Sequence, residues 1–121
     1  MSTKGRMISM TMSDGASIGV YHVEPQGPRR GGLVLVQEIF GVTDHIKEQC
    51  DLYAAEGYEV LAPALFDREV PGFQASYSAE DIQEAIKIAR DQHPFDRSVA
   101  GVQACIDALK DKGPVFITGY C

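Results

Sequence analysis

The run Leu33-Val34-Leu35-Val36 constrains this chain more than any other stretch. It is unbroken rather than alternating. A strand that is apolar on successive residues buries both of its faces, as in a parallel sheet covered by helices. The next thirty residues fit that layout. Asp44 is placed to cap a helix whose apolar positions Ile46, Cys50, Tyr53 and Ala54 fall at i, i+4, i+7 and i+8. Gly57 is placed to end it. Tyr58-Glu59-Val60-Leu61-Ala62 then reads as a second strand, stopped by Pro63. Strand, helix and strand at this spacing make a βαβ unit with a right-handed crossover. The fold class is therefore α/β, a mostly parallel sheet flanked by helices on both faces.

The flanking segments extend the same architecture. Arg6 to Met12 and Ala16 to Val23 read as strands, and Asp14-Gly15 between them predicts an antiparallel hairpin. Glu24 to Gly32 is a proline- and glycine-rich loop. Ala64 to Tyr77 is a longer one, with Pro71-Gly72 and two aromatics, of a length that is often functional or mobile. Ser78 is expected to cap a helix through Arg90, with Ile82, Ala85, Ile86 and Ala89 as its apolar stripe. Acidic Glu80 and Asp81 open that helix and basic Lys87 and Arg90 close it, as the helix dipole favours. His93-Pro94 breaks the pattern. A further helix is expected from Arg97 to Lys110, with Val99, Val102, Ile106 and Leu109 inward. Gly113-Pro114 then leads into a short buried strand, Val115 to Thr118.

Composition removes several function classes. The 121 residues, 45% of them apolar, suit one domain with a real core. A net charge of −6 argues against nucleic acid and against an anionic membrane surface. No apolar run approaches the roughly 20 residues that span a bilayer. Met1 to Met12 lacks the apolar core of a secretory signal. Three cysteines without a Cys-x-x-Cys pair fit neither a disulfide framework nor a zinc ribbon, and point to a reduced, cytoplasmic compartment. Gly31-Gly32 precedes a strand rather than opening a helix, so it is no dinucleotide fingerprint. No cofactor and no metal are expected. The expected partner is a small molecule.

Two residues can carry chemistry. Gly119-Tyr120-Cys121 comes directly after the last strand, and a glycine two positions before a nucleophile is the first half of a nucleophile elbow. Cys121 is then the candidate nucleophile. The bland alternative is a buried, inert cysteine. Glu38 lies just past the strand Leu33 to Val36, and sites in open parallel sheets form above the carboxyl ends of strands. Beside the apolar Ile39-Phe40-Gly41 turn it is expected to be partly desolvated and so a usable base. Its alternative is a solvated surface carboxylate. The same turn places the backbone N–H of Ile39 to donate to an oxyanion. Phe40, Phe66 and Phe73 either wall an apolar pocket or are plain core packing. Cys50 and Cys105 read as core residues, small hydrophobes within helices.

Taken together, Gln37-Glu38-Ile39-Phe40-Gly41-Val42, Gly57-Tyr58, Ala62-Pro63-Ala64-Leu65-Phe66 and Gly119-Tyr120-Cys121 resemble the dienelactone hydrolase family, the carboxymethylenebutenolidases. The resemblance runs over essentially the whole chain, most clearly from Leu33 onward. It implies an α/β-hydrolase fold and a Cys-His-Asp triad with Cys121 as nucleophile. It implies that Glu38 hydrogen-bonds the resting thiol and helps generate the thiolate, and that Ile39 N–H is half of the oxyanion hole. The family's triad Asp and His come after the elbow. His22, His45 and His93 are read instead as surface or structural groups. The family's carboxylate-binding arginine has no counterpart from Glu80 to Glu84. Arg68 could replace it, or is a solvated loop charge.

These features predict the N-terminal part, residues 1–121, of a single α/β-hydrolase domain from a longer enzyme. In that case Val115-Phe116-Ile117 forms an apolar sheet edge. The expected activity is cleavage of small esters or lactones through an acyl-enzyme. A thioesterase or other esterase of the same fold is an alternative, and so is a noncatalytic binding domain.

Overall fold

The computed structural model describes residues 5–120. A five-stranded sheet, in the order β1-β2-β4-β3-β5, organises them. Strands β1 (Arg6–Thr11) and β2 (Ser17–Val23) form the expected hairpin, with Arg6 opposite His22 and Thr11 opposite Ser17. β2 pairs antiparallel with β4 (Tyr58–Pro63). β3 (Gly31–Val36) lies between β4 and β5 (Val115–Gly119), parallel to both. The sheet is thus mixed. β3 with β4 and β5 makes up its parallel part, and the expected hairpin adds two antiparallel pairings.

The unbroken apolar run in β3 serves two layers, as expected. Leu33 and Leu35 point into one core with Ile46, Cys50 and Ala54 of helix α1 (Asp44–Ala55). Val34 points into the other, with Cys105 and Leu109 of helix α3 (Phe95–Leu109). Burying each such Leu, Ile or Val contributes about 1.5–3 kcal/mol, so the two layers hold the sheet from both sides.

Local details differ from the pattern-based expectations. Thr43, not Asp44, caps α1: its hydroxyl accepts from Ile46 N–H at 3.4 Å, which leaves Asp44 in the first turn. Helix α2 (Ala79–Lys87) is capped by Ser78 as predicted, but ends at Lys87 and widens into a π turn over Ile88–Gln92. Its inward residues are Ala85 and Ile88. α3 starts at Phe95 and seats Gly101, Cys105 and Leu109 on the sheet side, whereas Val99 is 49% exposed. The helix approaches through its smallest residues: a Cβ on Gly101 would lie 2.9 Å from Leu65. A search for large apolar side chains passes over such a seam. β5 is the outer strand, and Phe116 and Ile117 are half exposed, so it forms the apolar edge and not a buried strand.

The amino ends of the parallel strands are tied by one buried carboxylate. Glu59 accepts from His22 Nε2 at 2.9 Å and from Arg29 Nε at 3.1 Å, with Lys112 Nζ at 3.9 Å. Arg29 also donates to the carbonyls of Leu109 and Lys112, closing the end of α3. Burial pushes the Glu59 carboxyl upward, but the bonds from His22 and Arg29 and the charge of Lys112 outweigh it and hold it below its ordinary 4.5. A carboxyl lowered by folding stabilises the native state fully above the unfolded value, and that stability is lost as pH falls through the folded value. Urea midpoints are therefore expected to fall as pH drops below 4.5. In Glu59→Gln this part of the acid slope should vanish. An unchanged slope would remove Glu59 from the account.

Candidate active site

The carboxyl end of β3 is held by an amide. Gln37 is 7% exposed and uses both ends of its side chain. Its Oε1 accepts from Leu65 N–H at 2.8 Å, and its Nε2 donates to the carbonyl of Glu38 at 2.9 Å. The tips of β3 and β4 are thereby joined across the sheet. Beyond Glu38 the chain turns at once: Gly41 N–H donates back to Glu38 carbonyl at 3.1 Å. Gly41 has φ +89° and a bridge to Gln74, and a Cβ there would run into the Phe73 carbonyl. Only glycine fits that conformation and that gap.

This turn sets Glu38 over a cavity of about 470 Å³. Val36, Ile39, Leu65, Phe66 and Val102 supply apolar wall, and Glu38 is its carboxylate. Glu38 Oε1 is buried and has no hydrogen-bond partner among the described residues. A buried polar atom without a partner is uncommon and calls for a functional or structural reason. One oxygen of Glu38 is thus shielded from solvent, while the residue as a whole is partly exposed. Phe66 lines the cavity, while Phe73 packs edge-on behind it at 5.9 Å and Phe40 packs edge-on against Tyr77 at 4.5 Å.

β3 and β5 are direct neighbours, with Val36 beside Gly119 in their register. Glu38 stands two residues beyond the first of these and Cys121 two beyond the second. Cys121 itself lies outside the described residues. Its neighbour Tyr120 is anchored: its N–H donates to Val36 carbonyl at 3.4 Å and its hydroxyl to Gln49 Oε1 at 3.3 Å. A hydrogen bond with Tyr53, aided by burial, pushes the Tyr120 phenol up to about 12. Cys50 and Cys105 are fully buried, as read from the sequence, and burial pushes each thiol up to about 12.

His22 and His93 are each held by a carboxylate. His22 belongs to the Glu59 cluster, and His45 is exposed on α1. Buried His93 bridges Glu69 and Ser98. That last contact set, like the Gln37 clamp, is invisible in the sequence. Gln37 carried a signal only as the residue before Glu38, and nothing marks Glu69 as a partner for a histidine 24 positions later. Arg68 is not a solvated loop charge: its side chain is 7% exposed and doubly bonded to Asp14, at 3.0 Å each. For a metal, His22, Glu24 and Glu59 offer ligand atoms within 4.8 Å of one another, but Arg29 already neutralises Glu59. No described helix is long and apolar enough to cross a membrane.

The model of the dienelactone hydrolase family matches residues 18–121. The chain belongs to the dienelactone hydrolase family. A Synechocystis sp. relative is 36% identical over 94 residues, which are 74% of this chain and 38% of that protein. The protein named carboxymethylenebutenolidase 1 of Cupriavidus pinatubonensis is 27% identical over 122 residues, 94% of this chain and 50% of its own. Among solved structures, a Klebsiella pneumoniae dienelactone hydrolase neighbour superposes with a TM-score of 0.72 at 29% identity, over 96% of this chain and 50% of that one. This dienelactone hydrolase family chain therefore has the α/β-hydrolase fold that the resemblance implied. It spans half, or less, of the length of these relatives.

Proposed function

We propose that this chain carries the nucleophile and its carboxylate partner for hydrolysis of small esters or lactones. The observation that supports this most is Glu38: a carboxylate oxygen that is buried and without a partner among the described residues, over a largely apolar cavity, just past the strand beside the one that leads into Cys121. In this reading Glu38 accepts the thiol proton of Cys121 as substrate enters. The thiolate attacks the substrate carbonyl carbon, and the oxyanion accepts a hydrogen bond from Ile39 N–H. Collapse expels the alcohol and leaves a thioester on Cys121, which water then cleaves. The histidine and aspartate implied by the family would move the remaining protons from positions after Cys121. These residues would form the N-terminal part of one hydrolase domain, working in the cytoplasm on a small molecule without metal or cofactor.

Thiol reactivity tests the reading directly. Only the thiolate reacts, and Cys50 and Cys105 are buried with thiols pushed up to about 12. Iodoacetamide at neutral pH is expected to alkylate Cys121 at least tenfold faster than either. Equal rates at all three positions would favour the noncatalytic binding domain instead.

A further inference from the structure

The cavity under Glu38 has a second polar end that the cysteine chemistry does not use. The π turn Ile88–Gln92 closes with His93 N–H donating to Ile88 carbonyl at 2.9 Å, and this wider turn swings His93 inward. π turns of this kind recur at functional sites. The His93 side chain is 3% exposed and the Glu69 side chain 6%. His93 Nδ1 lies 2.6 Å from Glu69 Oε1, and His93 Nε2 lies 2.6 Å from Ser98 Oγ. Arg97 donates to the other Glu69 oxygen at 2.7 Å.

With a neutral imidazole, one arrangement of protons satisfies all of these contacts. An ionised carboxylate only accepts, so Nδ1 carries the hydrogen and donates it to Glu69. Nε2 is then an acceptor, and the Ser98 hydroxyl must donate to it. A carboxylate that fixes the imidazole tautomer, with the free nitrogen facing a hydroxyl, is the arrangement that activates a serine. Both His93 and Ser98 line the cavity. Ser98 also lies in the first turns of α3, whose Pro94 cap supplies no side-chain hydrogen bond.

We propose that Ser98, His93 and Glu69 form a second acyl-transfer centre, in the same cavity but independent of Cys121. Ser98 Oγ bonds to the carbonyl carbon of an apolar ester while its proton passes to His93 Nε2. Collapse of the adduct breaks the ester C–O bond, and the leaving alcohol takes that proton. Water, giving a proton to His93, then cleaves the acyl-serine and restores the hydroxyl. No oxidant, reductant or further reactant is needed.

The test is covalent labelling of the Cys121→Ala protein with an alkyl fluorophosphonate, the site read by peptide mass spectrometry. Ser98 is expected to be modified at least tenfold faster than any other serine, and His93→Gln in that background should slow it at least tenfold. If Ser98 stays unmodified in folded Cys121→Ala protein, the group is only a staple between the loop and α3, and the proposal falls. It also falls if His93→Gln labels Ser98 as fast as its parent. Should His93→Gln not fold, the rate at Ser98 in the parent decides alone. Because Cys121 is absent throughout, failure here says nothing against the cysteine mechanism, and failure of that mechanism leaves this result standing.

Discussion

Cys121→Ala is expected to lower hydrolysis of p-nitrophenyl esters by about a thousandfold or more in the full-length protein, because a thiolate is a far stronger nucleophile than a serine hydroxyl, and any residual turnover then belongs to Ser98. Cys121→Ser should recover little of that loss. A hydroxyl is far harder to ionise than a thiol, and Glu38 as a carboxylate base suits the thiol. Glu38→Gln keeps the shape and removes the base. It is expected to cost about a hundredfold, mainly in kcat, within the range of general acid–base groups. It should not cost stability, since Glu38 Oε1 makes no hydrogen bond among the described residues. Full turnover in Cys121→Ala and Cys121→Ser would refute the nucleophile. A stability loss in Glu38→Gln without a rate loss would make the carboxylate structural.

The largest stability effect is expected at Gly41. Alanine there meets two separate costs. With φ at +89° an L side chain is strained, at about 1–2 kcal/mol. The added Cβ also runs into the Phe73 carbonyl, which is backbone and cannot rotate away. Overpacking of this kind costs about 1–3 kcal/mol. Together Gly41→Ala should lower unfolding free energy by about 2–5 kcal/mol, and turnover should fall too, because Glu38 hangs on the same turn. Gly72→Ala is the control: φ is +70° but nothing lies within 4 Å of its Cβ, so only the conformational part should appear. Equal losses at the two positions in urea titrations would show that the contact with Phe73 carries no weight.

The layout of the fold was legible wherever a period repeats. Alternate residues of β3 feed opposite cores, α1 buries Ile46, Cys50 and Ala54, and Asp14-Gly15 turns the hairpin. Glu38 drew notice in the sequence through its place at the end of such a strand, and the structure sets it at the cavity. The misses share a cause, which is that they depend on partners distant in the chain. α3 packs through Gly101 because Leu65 fills the space opposite it, so Val99 turns out to be half exposed. Gln37 clamps Leu65 from 28 residues away, and Arg68 is bonded to an aspartate 54 residues earlier. The π turn that redirects His93 has no sequence period of its own.

The interleaving of β3 has a mechanical outcome at its tip. Leu33 and Leu35 belong to one layer and Val34 to the other, so a slip of one position would exchange every side chain between the two cores. The next permitted stop is two positions away, a jump of about 6.6 Å at a strand's rise per residue. Glu38 therefore rides on a ratchet with no intermediate notch: the carboxylate can pivot at the turn, but it has no axial play through which to drift from its neighbours.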